Sequence, residues 1–163
     1  MSFALPTLVQ SDELNNHLEH PNLRIVDASW HLPKAKRNGL QEFEQEHLPG
    51  AVFLDLDEVS DPESELPHTI PTEEYFSKKI GELGIGNDSW VVVYDTTGLF
   101  SAARVWWMFR AFGHERVSLL DGGLPKWKAE NRPISHGRSE TKPSQFRAVF
   151  NKQMFCDWES VQD

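Results

Sequence analysis

The stretch with the best placement for chemistry is Asp95-Thr96-Thr97-Gly98-Leu99-Phe100, which follows the most hydrophobic run, Trp90 to Tyr94, and precedes a helical pattern starting at Ser101. In an open α/β sheet ligands gather beyond the carboxyl ends of strands, and free N–H groups at a helix start favour an anion. A nucleophile is expected in such a place. The loop instead opens with a carboxylate, which would oppose an anion rather than attack an electrophile, so Asp95 reads as a cap or loop brace. The Gly-x4-Gly-Lys-Ser/Thr spacing of a phosphate loop is absent. The single cysteine, Cys156, lies among Asp157, Trp158 and Glu159. Neighbouring carboxylates raise a thiol pKa rather than lower it, so Cys156 reads as inert. Seven histidines are scattered without His-x3-His or Cys-x2-Cys spacing, so no metal site or other cofactor is expected. His47, just before Leu48-Pro49-Gly50-Ala51, reads as structural, and His68, within Leu66-Pro67-His68-Thr69-Ile70-Pro71, reads on its own as a surface-loop residue.

The elements that would position these residues follow from apolar runs divided by Gly and Pro. Residues 23–27, 51–54, 90–94 and 117–120 read as strands whose near-continuous apolarity suits a parallel sheet covered on both faces. Ser11 is expected to cap a helix carrying Leu14 and Leu18, and Thr72 one carrying Phe76, Ile80 and Leu83 that stops at Gly84. A stronger helix is expected from Ser101 to Phe112, ending at Gly113, and a short one after Gly122-Gly123 with Pro125 in its first turn and Trp127 as its anchor. The fold class is therefore α/β, with helices on both faces of the sheet. Residues 1–135 are assigned to this domain. From Arg132 onward the composition turns polar and periodicity disappears, so 136–163 are assigned to a linker or tail. The absence of a final element suggests a fragment, or one half of a longer protein.

Composition narrows the functional classes. The chain has 163 residues, enough for one domain at roughly 150 residues each. Its 10 Phe, 6 Trp and 2 Tyr can supply a packed core, which argues against global disorder. A net charge of −9 would repel a phosphate backbone, so nucleic acid is a poor partner. No apolar run approaches the roughly 20 residues that span a bilayer. The start, Met1 to Pro6, lacks a basic stretch and a sustained apolar run, and with one cysteine this points to a cytoplasmic location.

Three further stretches coincide: Arg24-Ile25-Val26-Asp27-Ala28-Ser29-Trp30; Phe43-x3-His47-Leu48-Pro49-Gly50-Ala51; and Val117-Ser118-Leu119-Leu120-Asp121-Gly122-Gly123-Leu124-x2-Trp127. Together they resemble the rhodanese superfamily. The intervening VVVYDTTGLFSAARVWWMFRAFGH resembles the amino-terminal domain of tandem sulfurtransferases that use thiosulfate or 3-mercaptopyruvate. The resemblance spans about residues 8 to 155 and implies a rhodanese-like α/β domain. In that family only the carboxyl-terminal half keeps the cysteine that becomes a persulfide, and Asp95 stands at the matching position here. Ser29 likewise replaces an arginine often found in active domains. The resemblance thus implies a non-catalytic half that lines one wall of an active-site cleft, with Trp30 and Phe100 at aromatic cleft positions. Core packing is the competing reading of both. It also implies a relay between His68 and Asp57, which favours mercaptopyruvate over thiosulfate. Its implied partners are a carboxyl-terminal rhodanese domain, a small sulfur-containing substrate, and thioredoxin, another thiol or cyanide as sulfur acceptor. A free-standing inactive domain serving as a binding or regulatory module is the alternative.

Overall fold

A computed structural model describes residues 3–155. In chain order these form β1 (Leu8–Val9), α1 (Ser11–Asn16), β2 (Leu23–Asp27), α2 (Gly39–Gln45), β3 (Val52–Phe53), α3 (Leu56–Val59), α4 (Glu73–Glu82), β4 (Trp90–Tyr94), α5 (Ser101–Ala111), β5 (Val117–Leu120) and α6 (Gly123–Ala129). The sheet has five strands in the order β1-β5-β4-β2-β3, and every pairing is parallel. The expected central strand, β4, is the middle one.

Alternation along β4 shows how the core divides. Val91 and Val93 face a cluster with Phe76 and Ile80 of α4 and Val105, Phe109 and Phe112 from α5 and its end. Val92 and Tyr94 face a second cluster with Leu14 of α1, Phe43 of α2, and Leu124 and Trp127 of α6. Successive side chains of a strand point to opposite faces, so a strand buried on both sides must be apolar throughout. That is why β4 carries no polar alternation.

Three expectations need correction. Ser11 does not cap α1; Gln10 occupies that position, and the buried Ser11 hydroxyl hydrogen-bonds the Glu130 carboxylate at 2.8 Å. A charged acceptor brought by α6 wins over a local N–H. Thr72, by contrast, caps α4 as expected, accepting from the Tyr75 N–H at 3.1 Å. The strand expected over 51–54 is shorter, Val52–Phe53. Most substantially, the chain does not leave the domain at 135. Ser144 N–H donates to the Gly81 carbonyl, Ala148 N–H to the Ser77 hydroxyl, Val149 N–H to the Phe112 carbonyl, and Asn151 N–H to the Ala111 carbonyl. Phe146 and Ala148 are buried in the α4/α5 core. The segment is extended and binds helix ends and side chains, so it has no periodicity to read. Cys156 and the residues after it lie outside the described residues.

Candidate functional site

The loop after β4 closes around its own first side chain. Asp95 is 1% exposed. Its Oδ1 accepts from the N–H groups of Thr97 and Gly98 and from the Thr97 hydroxyl, at 2.9 to 3.1 Å. Its Oδ2 accepts from the N–H groups of Phe100, at 2.6 Å, and Ala102, at 2.9 Å. These donors include groups at the amino end of α5, where the helix leaves N–H groups unpaired and its dipole favours negative charge. The bracing role read from the sequence is the one the geometry displays. The carboxylate occupies the place that an external anion would take at this helix start. Gly123 permits this closeness, because a β-carbon there would meet the Asp95 carbonyl oxygen at 2.5 Å.

A second buried carboxylate lies beside it. Asp27 ends β2 with no exposure, in register with Tyr94. Its Oδ1 accepts from the Ser29 N–H at 2.9 Å and the Ser29 hydroxyl at 2.5 Å, while its Oδ2 has no partner of good geometry. Burial pushes the Asp27 carboxyl up to about 6; the bonds from Ser29 and the neighbouring Tyr94 hydroxyl offset part of this, and the charge of Asp95 adds to it. Burial and the nearby Asp27 charge likewise hold the Tyr94 phenol well above its usual range. The Ser29 hydroxyl oxygen also accepts from Thr96 N–H at 3.0 Å, and Trp30 N–H donates to the Ser101 hydroxyl at 3.0 Å. The residues after β2 are thereby tied to the loop after β4 at two points.

Beyond Trp30 lies the pair that the family resemblance brought forward. His68 Nε2 is 2.9 Å from Asp57 Oδ1, and the Trp30 indole N–H donates to Asp57 Oδ2 at 3.1 Å. The Trp30 and His68 rings meet edge to face with centroids 4.6 Å apart. An ionised carboxylate only accepts, so Asp57 fixes the histidine proton on Nε2 and leaves the Nδ1 lone pair free. The His68 side chain is 22% exposed. Such a nitrogen can take a proton from a substrate.

Of the aromatic pair, Phe100 is 52% exposed, which excludes core packing for it. Trp30 is half-buried against the α4/α5 core, and its indole N–H reaches Asp57. Asp95 is not part of the His68 pair; its oxygens are all turned onto its own loop. His47 is buried, stacked on Phe43, and its two ring nitrogens lie 2.8 Å from the carbonyls of Leu48 and Gly137, which is a structural role. Sequence reasoning missed Arg104 of α5, whose Nη2 donates to the His68 carbonyl at 2.7 Å. No sequence signal marked it, because the contact with His68 spans 36 positions and is made only by the fold. Among the described residues no cluster of His, Cys, Asp and Glu could hold a metal ion, and no helix is long and apolar enough to cross a membrane.

The rhodanese-like domain family matches residues 10–130. This chain belongs to the rhodanese family. The rhodanese domain is 48% identical over 143 residues to human 3-mercaptopyruvate sulfurtransferase, covering 86% of this chain and 48% of that protein. It is 43% identical over 143 residues to rat thiosulfate sulfurtransferase, again covering 86% of this chain and 48% of the relative. Among solved structures, that of SseA from Escherichia coli, described as a 3-mercaptopyruvate sulfotransferase, superposes with a TM-score of 0.91 at 39% identity, covering 97% of this chain and 61% of that one. The rhodanese domain spans about half the length of the curated relatives it matches.

Proposed function

We propose that this rhodanese domain is the non-catalytic half of a tandem sulfurtransferase of the 3-mercaptopyruvate type. The observation that carries the reading is the occupied loop after β4. Asp95 accepts from the N–H groups of Thr97, Gly98, Phe100 and Ala102 and offers no sulfur nucleophile, so on this reading the persulfide forms on a cysteine of a second rhodanese domain. The exposed Leu32, Leu66, Leu99 and Phe100 all lie on the loops that carry the site, and supply the apolar surface that domain would cover.

The contribution of this half to the reaction is the Asp57–His68 pair. Transfer from 3-mercaptopyruvate removes the thiol proton, breaks the carbon–sulfur bond with its electrons left on carbon, and passes sulfur to the cysteine thiolate. His68 Nδ1 takes the thiol proton, and the departing pyruvate enolate recovers one at carbon. Asp57 holds the imidazole and stabilises its cation. Thiosulfate carries no thiol proton, so the pair favours the mercaptopyruvate reading. The sulfur then passes to a small thiol, thioredoxin or cyanide.

The test is direct. Residues 1–163 alone should release no pyruvate from 3-mercaptopyruvate and form no thiocyanate from thiosulfate and cyanide. Joined to a carboxyl-terminal rhodanese domain that carries a cysteine loop, they should do both. Turnover by residues 1–163 that vanishes in Cys156→Ser would overturn the reading. A coding sequence that stops without such a domain would transfer the proposal to a free-standing binding module.

A further inference from the structure

His68 is held by more than Asp57. Its φ of +57° places it in the left-handed region, which a residue with a β-carbon enters only under constraint, and Pro67 precedes it. The partner that meets its backbone is Arg104, whose Nη2–H reaches the His68 carbonyl oxygen at 2.7 Å. The guanidinium lies over the Trp107 ring, 4.9 Å from its centroid, and makes no ion pair among the described residues. Burial pushes its pKa down from the usual arginine range. A cation drawn partly out of water usually has a carboxylate beside it. Here it has a carbonyl and an aromatic face instead, both of fixed geometry, which suits a planar fork used to hold a backbone in place.

We propose that Arg104 is the positioning residue of His68: by clamping the carbonyl of the left-handed residue it sets the direction of the imidazole, so that Nε2 stays on Asp57 and Nδ1 stays free. The inference rests on the relay role given to His68 above and extends it to α5. Trp30 completes the support, since its backbone N–H is fixed by Ser101 one turn before Arg104 while its ring stands against His68. One helix face thereby anchors both walls of the histidine.

Two measurements test this. In 15N-labelled residues 1–163, wild type and Arg104→Lys should show His68 as a single Nε2-protonated tautomer in contact with Trp30. Arg104→Met should show averaged tautomers and a weakened Trp30 contact. In the two-domain enzyme, Arg104→Met should lower kcat for 3-mercaptopyruvate on the order of tenfold, the scale of a displaced general base, with little change in KM. Placed on His68→Ala it should cost nothing further, because both changes remove the same function. An unchanged imidazole spectrum in Arg104→Met, or losses that multiply in the double variant, would overturn the proposal. Should His68→Ala leave mercaptopyruvate turnover intact, the relay reading fails, while the spectra still decide whether Arg104 holds the ring. Arg104→Leu, which likewise lacks a donor, carries the same comparison if circular dichroism shows Arg104→Met to be unfolded.

Discussion

Replacing Asp27 by Asn should remove a pH dependence of stability that originates at one buried atom pair. The Asp27 carboxyl is fully buried and its pKa rises from 3.8 to about 6 in the folded domain. Between those values the folded domain keeps a proton that the unfolded chain has released. Its stabilising contribution is therefore complete below the unfolded pKa and declines as pH rises, until it is lost above the folded value. At about 1.4 kcal/mol per unit, a rise from 3.8 to about 6 corresponds to about 3 kcal/mol. Asn stays neutral, keeps an acceptor for Ser29, and sets an amide where Oδ2 lacks a partner. Urea unfolding of residues 1–163 at several values between about pH 4 and pH 7 should therefore show Asp27→Asn gaining on wild type by up to about 3 kcal/mol across that range. Every other ionisable group is common to both proteins and cancels in the difference. Parallel curves would refute the reasoning, because they would mean that Asp27 ionises as it does in water.

The Asp95 ring predicts an asymmetry between two substitutions. Asp95→Ala should lower stability by about 3 kcal/mol or more by stranding several buried donors, whereas Asp95→Asn, which retains one acceptor, should cost about half as much in the same denaturation assay. Phe146→Ala should cost about 3 to 5 kcal/mol, read as a lower thermal midpoint, because the ring is packed edge-on to Phe76 and Phe109 inside the α4/α5 core. A change near zero would restore the expectation of a free tail. In the two-domain enzyme, His68→Ala and Asp57→Ala should reduce turnover of 3-mercaptopyruvate by about 100-fold and of thiosulfate far less. Equal losses with both donors would remove the proton relay.

What was legible in the sequence follows from how each element is stabilised. β2, β4 and β5 are buried on both faces, so their apolar runs identify them without a partner in view. α4 and α5 each carry one apolar stripe and end beside glycines with φ of +82° at Gly84 and Gly113, signals that lie within the helix itself. β1 has only two residues, and α2 buries one side chain completely, Phe43, so neither offers a period to count. The 136–151 segment offers no period for a related reason, since its bonds run to α2, α4 and α5 and leave no local mark. In the site, the bracing role of Asp95 could be argued from its charge and its place before a helix. The Asp57–His68 pairing came from family resemblance alone, because His68 lies eleven positions beyond Asp57, in the loop after α3, and the chain shows no reason for them to meet. Arg104 was invisible for the opposite reason. A helical arginine beside tryptophans reads as a solvated face, and only the fold brings the His68 carbonyl to it.

The two halves of the site explain each other. A turn of N–H groups at the head of α5 attracts an anion whether or not that anion can react. Supplying the anion from within, by a carboxylate already attached to the loop, avoids the entropy loss of capturing one from solution and keeps the loop formed when no ligand is present. On the same loop the side chains of Leu99 and Phe100 are exposed. On the proposed reading, this end of the sheet serves as a template. Ser101 fixes Trp30, Trp30 and His68 share the Asp57 carboxylate, and Arg104 fixes the His68 backbone. Every one of these bonds orients a group and none supplies an electron pair to sulfur, which is what the proposed non-catalytic half requires of its side of a shared cleft.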